Sequence, residues 1–340
     1  MRRRGATIAV GAFLLLVLLF EAGRVRVPYV ELGPGPTYDT LGSADGHPVI
    51  NVSGVPSTMS QGQLRLMTVG VNPDITLLEA IRGWLARDYA VVPRELIYPP
   101  DRTEQQVNQQ NAEEFKQSQT SAETVALRRL GYPVQVTIAE VVEGLPAAGV
   151  LKVGDIINSV DGTPVTSVQK LSELVRAKPP GTARVVSYVR GGETKQVTLA
   201  TARAEDGNPR FGVRVEQKQP HPFTLSIQLD RIGGPSAGLM FALGIFDKLD
   251  PVDLTGGKII AGTGTIDDEG RVGQIGGIPQ KLVAAKLTKA TVFLTPESNC
   301  AEALDNPQPG IALIKIGNFD QALQALQAIR QGGTPTLCSR

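Results

Sequence analysis

The sequence predicts an α+β chain of more than one domain, preceded by one apolar helix. Three observations lead there. An uncharged run over residues 5–20 follows three arginines at 2–4. Residues 131–203 read as short strands broken at Gly and Pro pairs. Residues 225–290 twice run from a strand through glycines into an apolar helix. The chain of 340 residues is long enough for about two domains of roughly 150 residues each. With 41% hydrophobic and 20% charged residues it can bury a real core.

The apolar run sits at the short edge of the roughly 17–25 residues that span a bilayer, and Ala22 and Gly23 lengthen it past Glu21. A cleaved signal peptide has a similar layout but needs small residues before the cut. Here Phe20 or Glu21 would fall at the upstream specificity position, so an uncleaved anchor over 5–23 is the favoured reading. The basic start, 1–4, then stays in the cytoplasm, and residues after about 27 are extracytoplasmic. In such a compartment Cys300 and Cys338 stand either as a disulfide or as two buried thiols.

Composition excludes several classes. Thirty-four basic residues against 33 acidic ones give a net charge of +1, which offers nucleic acid no basic field. Only two histidines, His47 and His221, and two cysteines are present, so there is no HExxH helix and no Cys/His cluster with zinc spacing. No metal and no cofactor is expected. No GxxxxGK[ST] phosphate loop occurs. A nucleophilic mechanism would draw its base from something other than His.

Residues 27–120 form a strand and helix region. Strands are expected near 29–32, 49–52 and 64–69. A helix starts near Asp74, with Thr76 and Glu79 at capping-box spacing and Leu77, Ile81, Trp84 and Leu85 as an inward stripe that places Trp84 in the core. Residues 101–120, rich in Gln, read as a linker or solvated helix, and 121–130 as a short helix stopped by Gly131.

A domain over 121–204 follows. Val134 to Ile138 alternates as a strand, then come Pro146-Ala147-Ala148-Gly149, Gly154-Asp155-Ile156-Ile157 and Val160-Asp161-Gly162, an amphipathic helix from Val168, and Arg190-Gly191-Gly192 between two strands. This pattern closely resembles a bacterial PDZ domain. The resemblance implies a sheet edge that accepts an extended peptide. It implies a carboxylate-binding loop at Leu130, Gly131, Tyr132 and Pro133, with Val134 beginning the peptide-binding strand. Pro133 departs from the pattern because it supplies no N–H.

The third domain, 205–340, carries the chemistry. Ser236 lies in Gly233-Gly234-Pro235-Ser236-Ala237-Gly238, between a strand at 225–229 and an apolar helix. Gly233 and Gly234 permit a tight corner, and Pro235 suits a first helical turn. Free N–H groups at a helix start stabilise an oxyanion. Ala237 and Gly238 leave room for a substrate carbonyl. A plain Ser helix cap is the competing reading. Lys281, 45 positions on, follows Gly276-Gly277 in the first turn of a second helix beside Leu282 and Ala285. The helix dipole and apolar burial both disfavour its charge, which suits a general base.

The two motifs together resemble the proteolytic domain of Lon proteases, which uses a Ser–Lys dyad. Ser236 matches the serine, Lys281 with Ala284-Ala285 the lysine helix, and Thr263-Gly264 the turn whose threonine bonds the lysine. Val292 to Asn299 is similar as well. Gly233 stands where many ATP-dependent members have an acidic residue. An anchor, a PDZ domain and this domain in that order resemble the bacterial Lon-like PDZ-containing membrane serine proteases. In that architecture the PDZ domain is inserted before or within the proteolytic domain, and the N-terminal strands complete the protease sheet. The resemblance implies an ATP-independent endopeptidase acting on proteins or peptides, with homo-oligomers among its forms. A non-catalytic scaffold that keeps the protease fold is the alternative.

Overall fold

The computed structural model describes residues 2–229 and 232–340, with side chains described from residue 10. Arg231, five positions before Ser236, lies outside the described residues. The chain divides into two compact units. One comprises 1–52, 56–122 and 225–340; the other comprises 53–55 and 123–224.

Along the chain, helix α1 (Arg2–Ala22) precedes strand β1 (Tyr29–Asp39), β2 (Gln63–Asn72), helix α2 (Leu77–Leu85), β3 (Ala90–Pro93) and the long helix α3 (Glu104–Arg129). The second unit supplies β4 (Gln135–Val141), β5 (Ile156–Val160), α4 (Val168–Arg176), β6 (Ala183–Arg190), β7 (Glu193–Ala200) and β8 (Val213–Lys218). The chain ends with α5 (Gly238–Leu249), β9 (Ile259–Gly262), α6 (Ile278–Leu287), β10 (Val292–Pro296), α7 (Cys300–Asp305), β11 (Ala312–Ile316) and α8 (Phe319–Arg330).

The first unit is built on a mixed sheet of order β11-β10-β9-β2-β1-β3. β2, β9, β10 and β11 run parallel, while β1 is antiparallel to β2 and β3. Strands from both sides of the 123–224 segment therefore share one sheet. Helix α6 lies on β1 and β2, and its Leu282, Ala284 and Ala285 join Met67, Ala261 and Phe293 in one buried cluster. Cys300 and Cys338 are joined as a disulfide. The tail it holds runs beside β11, where Cys338 N–H donates to Leu313 O and Lys315 N–H to Thr336 O.

The second unit is an antiparallel sheet of order β7-β6-β5-β4-β8. Its core holds Val136, Ile138, Ile157, Val160 and Val186. Asp155 is buried, and Arg190 donates to both of its carboxylate oxygens, at 2.7 and 2.6 Å. β8 lies beyond Ala204, where the sequence reading ended this domain, yet it pairs with β4.

Three further expectations fare differently. Of the two readings for 101–120, linker or solvated helix, the helix holds, and it is continuous with the helix expected at 121–130: Glu104–Arg129 form one helix, because no Gly or Pro interrupts them. In α2 the capping box of Thr76 and Glu79 is present. Its stripe, however, faces outward: Ala80 and Gly83 are buried, while Ile81, Trp84 and Leu85 are exposed. A Cβ at Gly83 would stand 2.5 Å from the Val91 side chain, so only a small residue fits against β3 and the bulky neighbours turn away. As for the anchor, no helix among the described residues is long and apolar enough to cross a membrane. The first part of the expected span, at positions 5–9, lies outside the residues whose side chains are described.

Candidate active site

Ser236 sits in the turn before α5, and Ala237, not Ser236, occupies the N-cap, with no side-chain cap bond. The serine hydroxyl is thus not committed to capping. Helix α5 starts later than Pro235 suggested, so Pro235 shapes the loop rather than the helix.

The loop is held from two sides. On one side the end of β9 is laced to it. Thr263 Oγ1–H donates to Ser236 O at 3.0 Å, Gly264 N–H donates to the same carbonyl at 2.9 Å, and Leu239 N–H donates to Gly264 O at 3.1 Å. On the other side stands α3. Gly234 N–H donates to Asn111 O at 2.8 Å, and Ser118 Oγ–H donates to Pro235 O at 2.9 Å. Gly238 permits this closeness, since a Cβ there would lie 2.7 Å from Ser118 Oγ. The Pro235–Ser236 peptide is trans, so fixing its carbonyl toward Ser118 turns the Ser236 N–H away from α3.

Lys281 reaches the same place from α6. Gly277, in the left-handed region at φ 73°, is the N-cap and lets the chain turn against β2; a Cβ there would meet Val69 at 2.5 Å. The turn is fixed by the buried Asn299, whose Oδ1 accepts Ile275 N–H at 3.0 Å and whose Nδ2 donates to Ile275 O at 2.9 Å. Lys281 Nζ lies 3.0 Å from Ser236 Oγ and 2.9 Å from Thr263 Oγ1. Thr263 has given its own proton to Ser236 O, so it accepts from Lys281. A neutral amine then has its lone pair left for the Ser236 hydroxyl proton.

Lys281 is 2% exposed. Burial pushes its ammonium down to about 7, against a weaker opposing pull from the Glu302 carboxylate. A cleft of about 480 Å³ opens over the pair, lined by Met67, Val69 and Gly70 of β2 and by Gly234, Pro235 and Ala237. Every residue expected around the serine and lysine is therefore gathered at one place. Asn111, Ser118 and Asn299 were not foreseen, because a polar residue in a Gln-rich helix or a turn carries no local sign of its distant partner.

The PDZ residues are a different matter. A groove of about 350 Å³ lies between α4 and β8, lined by Leu171, Val175, Phe211, Gly212, Val213 and Val215 among others. Leu130, Gly131, Tyr132 and Val134 do not line it. Tyr132 instead stacks edge-on against Phe223, with ring centres 5.5 Å apart, and its carbonyl accepts from Gln219 Nε2 at 2.7 Å. Val134 packs on the core. The edge strand beside α4 is β8, at the C-terminal end of the unit, so the loop entering it is Arg210-Phe211-Gly212, with Gly212 at φ 86°. The alternation of Val213 and Val215 with Arg214 and Glu216 was the available signal.

Comparison with known proteins matches two segments of the chain. Residues 106–201 match the family model of the PDZ domain, and 231–328 that of the Lon protease (S16) C-terminal proteolytic domain. The chain joins a PDZ domain to a Lon-type proteolytic domain. A probable periplasmic serine endoprotease DegP-like from Pseudomonas fulva is 42% identical over 79 residues, 22% of this chain and 16% of that protein. Lon protease 2 of Bacillus subtilis is 36% identical over 97 residues, 28% of this chain and 17% of that protein. The Lon protease of Rickettsia bellii is 26% identical over 188 residues, 52% of this chain and 24% of that protein. The chain thus spans less than a quarter of each of these relatives, all of which are proteases by name.

Proposed function

We propose that the chain is a membrane-anchored, extracytoplasmic, ATP-independent serine endopeptidase in which Lys281 activates Ser236. The observation that carries this reading is the 3.0 Å approach of a buried lysine, with its pKa near 7, to the serine hydroxyl. Neutral Lys281 takes the Ser236 proton as Oγ attacks a peptide carbonyl. The Ser236 N–H, oriented through Pro235 and Gly234 with Ala237 beside it, meets the developing oxyanion. Lys281 then returns the proton to the leaving amine. Water then resolves the acyl-enzyme: Lys281 takes a proton from the attacking water and passes it to Ser236 Oγ as the ester bond breaks, which restores both residues. Thr263 holds the lysine in line.

Protein or peptide substrates fit both domains. The groove at α4 and β8 is suited to adding an extended segment to the β8 edge. No phosphate loop for ATP occurs in these residues, so the substrates are segments already unfolded. The anchor reading draws on the apolar run of the sequence and on α1, whose Val10 and every residue from Phe13 to Phe20 are exposed large hydrophobic side chains that water would not favour. A disulfide suits an extracytoplasmic compartment.

The test uses the full chain in detergent as wild type, Ser236→Ala and Lys281→Met, each incubated with a diverse peptide mixture and read by mass spectrometry. Cleavage by wild type alone is the expected result. Equal cleavage by Ser236→Ala would overturn the assignment, and silence from all three would favour the scaffold.

A further inference from the structure

Helix α2 presents a face that the fold leaves uncovered. Leu78 is 44% exposed, Ile81 41%, Trp84 54% and Leu85 82%. These four lie on one side of a nine-residue helix. Tyr89 and Leu96 add exposed apolar surface nearby in the chain, and the exposed Arg82 and Arg87 flank the stripe. The inner side of α2 must carry Ala80 and Gly83 to lie on β1 and β3, so the large residues are not core residues displaced by chance.

The position of this face says what covers it. Leu77 N–H, at the start of α2, donates to Val25 O at 2.8 Å, and Val27 N–H donates to Ile75 O at 3.1 Å. Helix α1 ends at Ala22 and contacts α2. Three residues reach at most about 10 Å. The headgroup layer on each side of a bilayer is roughly 5–8 Å deep. A span ending at Ala22 therefore sets the start of α2 at that layer. Trp suits this depth, with its ring at the apolar boundary and its Nε1–H donating to Val91 O at 3.4 Å. Arg82 pairs with Glu31 at 3.8 Å, and the Arg87 stem can lie along apolar surface while its head reaches lipid phosphates.

We propose that the outer face of α2, formed by Leu78, Ile81, Trp84 and Leu85, is a lipid-binding surface. It seats in the headgroup layer of the membrane that holds α1. The inference rests on the anchor reading and adds a second contact, which fixes the unit bearing Ser236 and Lys281 on the bilayer.

Trp84 is the single tryptophan of the chain, so its fluorescence reports this face alone. The full chain is reconstituted in phosphatidylcholine–phosphatidylglycerol vesicles with and without brominated acyl chains, and a parallel sample is washed in alkaline carbonate. The expected result is retention in the wash, a blue-shifted Trp84 emission and loss of most of it to bromine. Ile81→Glu with Leu85→Glu should restore the emission while leaving retention and peptide cleavage unchanged. Retention with emission untouched by bromine overturns the inference and leaves the anchor standing. Blue-shifted emission that bromine does not quench assigns the face to a second copy of the chain and also overturns it. Release in carbonate with quenching beforehand keeps the lipid surface and refutes the anchor; release without quenching refutes both.

Discussion

The rate at which Ser236 is acylated should follow the neutral fraction of Lys281. An ordinary lysine with a pKa of 10.5 would be neutral in about one molecule in 3,000 at pH 7, whereas a lysine at about 7 is neutral in about half. Below pH 7 the rate should rise about tenfold per pH unit and level off about one unit above. The assay is the pseudo-first-order labelling of the full chain by a fluorophosphonate from pH 5 to 10, with the adduct located on Ser236 by mass spectrometry. Glu302 raises the lysine pKa, so Glu302→Gln should move the midpoint to lower pH. A profile still rising at pH 10 would show that burial does not hold the lysine neutral. A profile unchanged in Lys281→Met would remove the lysine from the reaction.

The same lysine has a stability signature. Its folded pKa is lowered, so between about 7 and 10.5 the unfolded chain binds more protons and the contribution of Lys281 to stability rises with pH. Lys281→Met should therefore stabilise the chain most at pH 6, by an amount of order 5 kcal/mol, and about 3 kcal/mol less at pH 9, read from urea midpoints. Ser118→Ala removes the bond to Pro235 O and should cost about 1 kcal/mol. It should also slow fluorophosphonate labelling without moving the pH midpoint, while Ser118→Thr recovers the rate. Reducing the Cys300–Cys338 bridge opens a loop of 38 positions and should cost about 4 kcal/mol, seen as a lower melting temperature in dithiothreitol.

The Ser236 and Lys281 motifs were legible in the sequence because each is a local device. Glycines at a strand-to-helix corner and an apolar first turn leave signs within a few residues. Their convergence on Thr263 came from resemblance and needed the fold to give it distances. The groove beside α4 was not legible because its strand, Val213–Lys218, is the last of that sheet along the chain rather than the segment before β4. The periodicity of α2 was real, but a period marks a stripe without saying which side meets the sheet. Small residues against Val91 decided that. The single helix over 104–129 was hidden by its polarity, since Gln and Asn weaken the apolar stripe without breaking the backbone.

The central pairing of β2 with β9 joins Arg65 to Ala261, roughly 200 positions apart, and such distant contacts form late. The contiguous segment 123–224 can complete its own sheet while the ribosome is still making the rest. β1, β2 and β3 can pair with one another, but the far edge of β2 must wait for residues 259–262. The wall of the cleft at Met67–Gly70 belongs to β2, whereas Ser236 and Lys281 arrive near the end of synthesis. The nascent chain therefore carries a finished second unit before it carries the residues that complete the Ser236–Lys281 cleft.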